Sequence, residues 1–232
     1  MPVRIEGLQK LTLLDYPGRM ACTVFLGGCN FRCPFCHNSD LLAAAEAPAA
    51  VEEAELLAFL RRRQGILDGV CVTGGEPLLN ADIGALLEKI KALGYAVKLD
   101  TNGSRPQALK ALVGAGLVDA VAMDIKNSPA RYAETVGLRA FDLKPVRESV
   151  EYLLTGAVPF EFRTTVVREF HDDDSFAEIG RWIQGAPRYY LQGFVDSERV
   201  LEGGLHPCTK EEMERFAAFV RPFVGQVELR GV

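Results

Sequence analysis

The chain has 232 residues, of which 48% are hydrophobic, 25% charged and 9% aromatic. That is enough apolar content to bury a core, which argues against disorder and against a disulfide-stapled miniature. Lys and Arg number 26 against 31 Asp and Glu, a formal charge of −5, so nucleic acid is not the expected main partner, because phosphate binding needs a basic face.

In chain order, Leu8–Leu14 reads as a first strand, joined by a turn at Tyr16-Pro-Gly18 to a buried strand at Ala21–Leu26. The stretch Ala43-Ala-Ala-Glu-Ala-Pro-Ala-Ala50 is the nearest thing to a linker, and a helix is expected over Val51–Arg63. Its early Glu52, Glu53 and Glu55 and late Arg61, Arg62 and Arg63 suit the helix dipole, so the arginine run reads as a solvated helix end. Further buried strands are expected at Gly69–Thr73, Ala96–Leu99, Val118–Met123, Phe160–Val167 and Tyr189–Phe194. Helical patterns lie between them. Asn80 is placed to cap a helix that Gly94 ends, and Thr209 with Glu212 forms a capping-box pattern.

Strands alternating with helices imply parallel pairing by right-handed crossovers. A complete eight-unit barrel takes ~250 residues, so the expected fold is α/β, an incomplete (β/α)6 barrel of parallel strands with outer helices. An open doubly wound sheet is the alternative. In either, polar motifs at the carboxyl ends of strands are where ligands collect. No apolar run reaches the ~18 residues of a membrane span, and the start Met1-Pro-Val-Arg-Ile-Glu-Gly7 has no leader pattern. A cytoplasmic location with reduced thiols is therefore expected.

Three of the six cysteines fall within eight residues, in Gly27-Gly-Cys29-Asn-Phe-Arg-Cys33-Pro-Phe-Cys36-His-Asn38, directly after a buried strand. Cys33-Pro-Phe-Cys36-His37 has a haem-attachment spacing, and Cys33 with Cys36 a redox-pair spacing, but both leave Cys29 without a role. Zinc held by three Cys and His37 is another reading, although zinc ligands usually come as two separated pairs. The remaining reading is a 4Fe–4S cluster on three thiolates, with one iron open to a small molecule.

This spacing, with Phe35 before the last Cys, resembles the signature of the radical S-adenosylmethionine superfamily. Thr73-Gly-Gly-Glu-Pro77 looks like the superfamily's second motif, at the end of the next strand. Leu99-Asp-Thr-Asn-Gly103 and Met123-Asp-Ile-Lys126 resemble strand-end motifs of the activating enzymes of glycyl-radical enzymes. Together with Leu14-Asp-Tyr-Pro-Gly18, the cysteine segment resembles the branch that activates anaerobic ribonucleoside-triphosphate reductase.

The resemblance implies one radical SAM domain over 1–232, with an N-terminal hairpin extension at 1–19, a core at 20–195 and a C-terminal helix and tail at 196–232. It implies an oxidoreductase in which Cys29, Cys33 and Cys36 hold the cluster and Gly74, Gly75 and Glu76 hold the methionyl amino group of S-adenosylmethionine. Lys126 would approach the methionyl carboxylate. Phe35, His37 and Asn38 would line the adenine pocket, largely through backbone, and Arg163 would pair with carboxylate or ribose. Asp100, Thr101 and Asp124 would bind a monovalent cation beside the cofactor. Asn102 is a further cofactor-binding candidate, with turn-capping as the alternative for it and for Thr101. Some relatives carry a histidine on the last strand where this chain has Gln192.

The partners implied are a glycyl-radical enzyme and a one-electron reductant such as flavodoxin or ferredoxin, with no nucleic acid and no membrane. A pyruvate formate-lyase-type partner, a small-molecule substrate such as a nucleoside or deazapurine precursor, and a non-catalytic metal-binding module are the alternatives. Cys22 and Cys71 read as small buried apolar residues, and His171 and His206 as surface residues.

Overall fold

The computed structural model describes residues 3–42 and 49–231. Most of the linker-like stretch at 43–50 lies outside the described residues. The chain falls into two compact units that part within one strand.

The first unit comprises the chain up to Asn30, Asp40–Thr101 and Arg105–Val121. Strand β1 (Ile5–Thr12) runs antiparallel to β2 (Ala21–Leu26). Strands β3 (Gly69–Gly74) and β4 (Ala96–Thr101) then continue parallel to β2, in register Ala21↔Gly69 and Gly69↔Ala96. Helices α1 (Glu53–Arg63) and α2 (Ile83–Ala92) come between them, and α3 (Pro106–Gly114) follows β4. The three parallel strands are mostly apolar and buried along their length, with Thr23 and Lys98 among the buried polar exceptions, because both faces are covered. Helix α2 turns Ile83, Leu86, Leu87 and Ile90 inward, as its period requires. Its N-cap is Asp82 rather than Asn80, because Pro77–Leu79 first makes a 3-10 turn that Asn80 closes. Gly94, at φ 88°, follows the end of α2 as its spacing predicts.

Strand β5 (Ala120–Asp124) is where the units part. The second unit comprises Phe31–Ser39, Asn102–Ser104 and the chain from Ala122 on. It contains helices α4 (Tyr132–Thr135), α5 (Lys144–Leu154), α6 (Asp173–Trp182) and α7 (Lys210–Val220). Its strands β6 (Phe160–Val166), β7 (Tyr189–Gly193) and β8 (Val227–Arg230) pair in parallel, in chain order. Helices α6 and α7 pack through Phe176 stacked on Phe216, with ring centroids 4.6 Å apart. The capping box of Thr209 and Glu212 opens α7. Strand β8 has no counterpart among the predicted elements, since four residues with two apolar positions carry too weak an alternation.

Alternating strands and helices with mostly parallel ladders make this an α/β fold, as predicted. No helix among the described residues is long and apolar enough to cross a membrane.

Candidate functional site

In the first unit, the polar motifs gather at the carboxyl ends of β2, β3 and β4. The turn after β3 is stitched to the start of the cysteine segment. Gly75 N donates to Leu26 O at 2.9 Å, and Glu76 N donates to Gly28 O at 2.7 Å. Gly74 sits at φ 129°, a region only glycine occupies readily. A Cβ on Gly75 would lie 2.1 Å from Gly28 O and 3.1 Å from Cys29 Cβ. Both glycines are thus required by close backbone approach.

Glu76 is fully buried. Its Oε1 accepts from Leu78 N at 3.1 Å and from the Thr101 hydroxyl at 2.8 Å. These two donors fix the carboxylate at the strand ends. Asp100, on the opposite face of β4 from Thr101, accepts from the Lys98 ammonium at 2.5 Å.

In the second unit, Arg32 N donates to Val136 O, and Gly137, at φ 68°, leaves room for Arg32 O, which a Cβ there would meet at 2.1 Å. This anchors the segment leading to Cys33. Cys33 is buried and Cys36 half-buried. Phe35 is buried with its ring 5.7 Å from that of Phe170. The His37 imidazole lies against Phe194 and bonds Val195 O at 2.7 Å, so its side chain is engaged by the loop after β7. Asn38, beside it, is half-buried.

Strand β5 ends in a charged cluster. Asp124 accepts from Lys126 Nζ at 2.9 Å and from Arg163 at 3.0–3.1 Å. Burial alone would raise the Asp124 carboxyl, but the two cations outweigh it and hold the pKa down to about 2. Burial works against the Lys126 ammonium too. The Asp124 carboxylate reverses that effect and raises its pKa well above the usual lysine value. Lys126 therefore stays cationic.

His171, expected at the surface, is buried beneath this cluster. Its Nε2 donates to Lys126 O at 2.9 Å, and its Nδ1 accepts from Val167 N at 3.1 Å. Burial lowers its pKa to about 4, so the imidazole is neutral. Nothing in a single loop histidine announces this, because its partners are backbone atoms and one of them, Lys126 O, is 45 residues away in sequence. Tyr132 and Asn127 are further buried supports, the first bonded to Asp124 O and the second to Phe170 O.

Asn102 Oδ1 accepts from Ser104 N at 2.9 Å, the turn-capping role open to it. Gln192 sits in β7, paired in register with Thr165 and Arg230. Cys22 and Cys71 are fully buried as expected, and burial pushes the Cys22 thiol up to about 12. His206 is an exposed residue bonded to Glu169.

Among the described residues, no three or more His, Cys, Asp or Glu side chains are gathered into a metal-binding group. The fit to an iron–sulfur cluster rests instead on the donors themselves. Cys29, Cys33 and Cys36 are free of disulfides, soft in character and closely spaced.

The α/β fold with ligand groups at strand ends defines a class, and sequence comparison narrows it. The model of the radical SAM superfamily matches residues 23–183. The chain belongs to that superfamily. Over its whole length it is 28% identical to 98% of a Methanocaldococcus jannaschii protein provisionally named a glycyl-radical enzyme activating enzyme. It is 27% identical, over 79% of this chain and 77% of the relative, to the pyruvate formate-lyase-activating enzyme of Listeria monocytogenes. Among solved structures, Streptococcus suis SuiB bound to S-adenosylmethionine shares the fold with a TM-score of 0.68 at 15% identity. That match covers 88% of this chain and about half, 48%, of SuiB. A domain of a Bacteroides vulgatus pyruvate-formate lyase-activating enzyme gives 0.58 at 13% identity, covering 70% of this chain and 99% of that one.

Proposed function

We propose that this chain is a radical SAM activase that installs a glycyl radical on a partner enzyme. The observation that carries the reading is the stitching of the Gly74-Gly75-Glu76 turn to the backbone at Gly28, next to Cys29. It gives the first thiol and the buried carboxylate a fixed relation. Cys29, Cys33 and Cys36 are the residues to hold a 4Fe–4S cluster. When bound and reduced, the cluster supplies the electron that splits S-adenosylmethionine into methionine and a 5′-deoxyadenosyl radical, which takes a hydrogen atom from a glycine of the partner.

The protein's part is binding, orientation and exclusion of water. Glu76 accepts from the methionyl ammonium in a charge-assisted bond, helped by the unsubstituted backbone of Gly74 and Gly75. Lys126, kept cationic by Asp124, would be the group to pair with the methionyl carboxylate. Arg163 holds Asp124 from β6 and so orients Lys126. Phe35, His37 and Asn38 are the candidates for the adenine pocket, Asn102 is a further candidate contact to the cofactor, and Gln192 stands where some relatives place a histidine near the methionyl group. No side-chain acid or base is needed, which agrees with three histidines in the whole chain.

The partner proposed is anaerobic ribonucleoside-triphosphate reductase, with a pyruvate formate-lyase-type enzyme as the alternative, and the electron donor a flavodoxin or ferredoxin. A second reading, chemistry on a small molecule, draws on 40% identity over 93 residues to the 7-carboxy-7-deazaguanine synthase of Hyperthermus butylicus, a match spanning 38% of that enzyme. Anaerobic reconstitution with iron and sulfide, reduction, and assay for 5′-deoxyadenosine tests the shared chemistry. A glycyl doublet in the electron paramagnetic resonance spectrum of the added partner supports the activase. Deoxyadenosine formation without that doublet for either partner favours the small-molecule reading, and tight zinc binding without deoxyadenosine overturns both.

A further inference from the structure

The monovalent-cation role that family likeness implies for Asp100, Thr101 and Asp124 does not fit the side chains as they stand. Lys98 is a charged residue inside strand β4, with its side chain 2% exposed. A buried ammonium is costly unless paired. Its partner is Asp100, two residues on and on the same face of β4, at 2.5 Å. Thr101 lies on the other face and donates to Glu76, so an ion on the Asp100 carboxylate would not meet the Thr101 hydroxyl as well. In the second unit, Asp124 separately holds Lys126 and Arg163. Each carboxylate thus has a cation from the chain itself.

We infer that Lys98 is a built-in cation: its ammonium takes the place at Asp100 that a bound potassium or sodium ion would fill. An ammonium and a potassium ion are alike in charge and close in size, and the covalent stem delivers the first at no cost in ion concentration. Lys98 is therefore a positioning residue for Asp100, and the protein needs no monovalent metal there. Its relevance to cofactor binding rests on the activase reading, whereas its pairing with Asp100 does not.

The test uses the full chain in potassium, sodium or choline chloride at equal ionic strength. Melting temperature is measured without cluster, and S-adenosylmethionine affinity after anaerobic reconstitution. The expected result is one melting temperature and one affinity in all three salts. A melting temperature several degrees higher in potassium or sodium chloride, or an affinity ~10-fold tighter, overturns the inference. Lys98→Met strands a buried carboxylate and should melt roughly 10 °C lower. Lys98→Met with Asp100→Asn, which removes both charges, should regain most of that loss. A double variant no more stable than the single one overturns the pairing. If neither variant folds, the salt comparison on the parent decides alone. Absence of S-adenosylmethionine binding in every salt would sink the activase reading, and the melting data would still decide the role of Lys98.

Discussion

Glu76 and Gly75 sit side by side and do opposite work. Glu76 supplies charge, and Gly75 supplies the lack of a side chain. In Glu76→Gln the amide oxygen can keep the bonds from Leu78 N and Thr101, so the fold should survive while the charge is lost. The expected outcome is an unchanged melting temperature with S-adenosylmethionine binding about 10–100-fold weaker, the equivalent of a charge-assisted bond of ~1.5–3 kcal/mol. Equilibrium binding after reconstitution checks it. Gly75→Ala should do the reverse damage, because its Cβ meets backbone at Gly28 that cannot move as a flexible side chain would. A stability loss of about 1–3 kcal/mol by denaturant titration is expected, with binding lost alongside.

His171 makes a prediction of a different kind. Its pKa is about 4 in the folded chain, against 6.5 for the free side chain. The unfolded state therefore binds more protons between those values, and stability is lost as pH falls from about 6.5 toward 4. The shift corresponds to roughly 3 kcal/mol. Thermal melts across that window should show a steep decline, flattened in His171→Asn. A parent whose melting temperature is level from pH 7 to 5 would contradict this.

At the scale of elements, the loop between β7 and α7 binds back onto the second half of the cysteine segment. His37 bonds Val195 O, Ser39 Oγ donates to Arg199 O at 2.6 Å, and Glu202 N donates to Pro34 O at 2.9 Å. Arg199 itself is exposed. Two of the three ties come from side chains that can be removed. In the double variant His37→Ala, Ser39→Ala, tryptic cleavage after Arg199 should speed up roughly 30-fold, each lost bond contributing ~1 kcal/mol to local opening. Unchanged cleavage would mean the loop is held by other contacts.

The strands were readable because burial on both faces makes most of their positions apolar. Ala21–Leu26 has the predicted limits, and the other buried strands differ by a residue or two at their ends. The α7 capping box was readable because it is local. By contrast, the Asn80 cap gave way to a 3-10 turn begun by Pro77, and β8 was too short to announce itself.

For the molecule as a whole, cofactor binding is linked to stability. A ligand that binds only the folded chain at 100 times its dissociation constant adds about 2.7 kcal/mol. For a chain of this length that amounts to a rise of roughly 5–10 °C. S-adenosylmethionine added to reconstituted protein should produce this rise, and S-adenosylmethionine added to a Cys29→Ala, Cys33→Ala, Cys36→Ala variant should not.

The amino-acid sequence alone determined the α/β alternation, the three-thiol donor set and the Gly-Gly-Glu turn, because periodicity and short spacing are properties of neighbouring residues. Only the tertiary structure decided who holds whom. It seated Lys98 on Asp100 inside a strand, turned Arg163 to Asp124, buried a neutral His171 under Lys126 and spent the His37 side chain on a distant loop. Charges and hydrogen bonds act over a few ångströms of space, and most of these partners are separated by tens of residues along the chain.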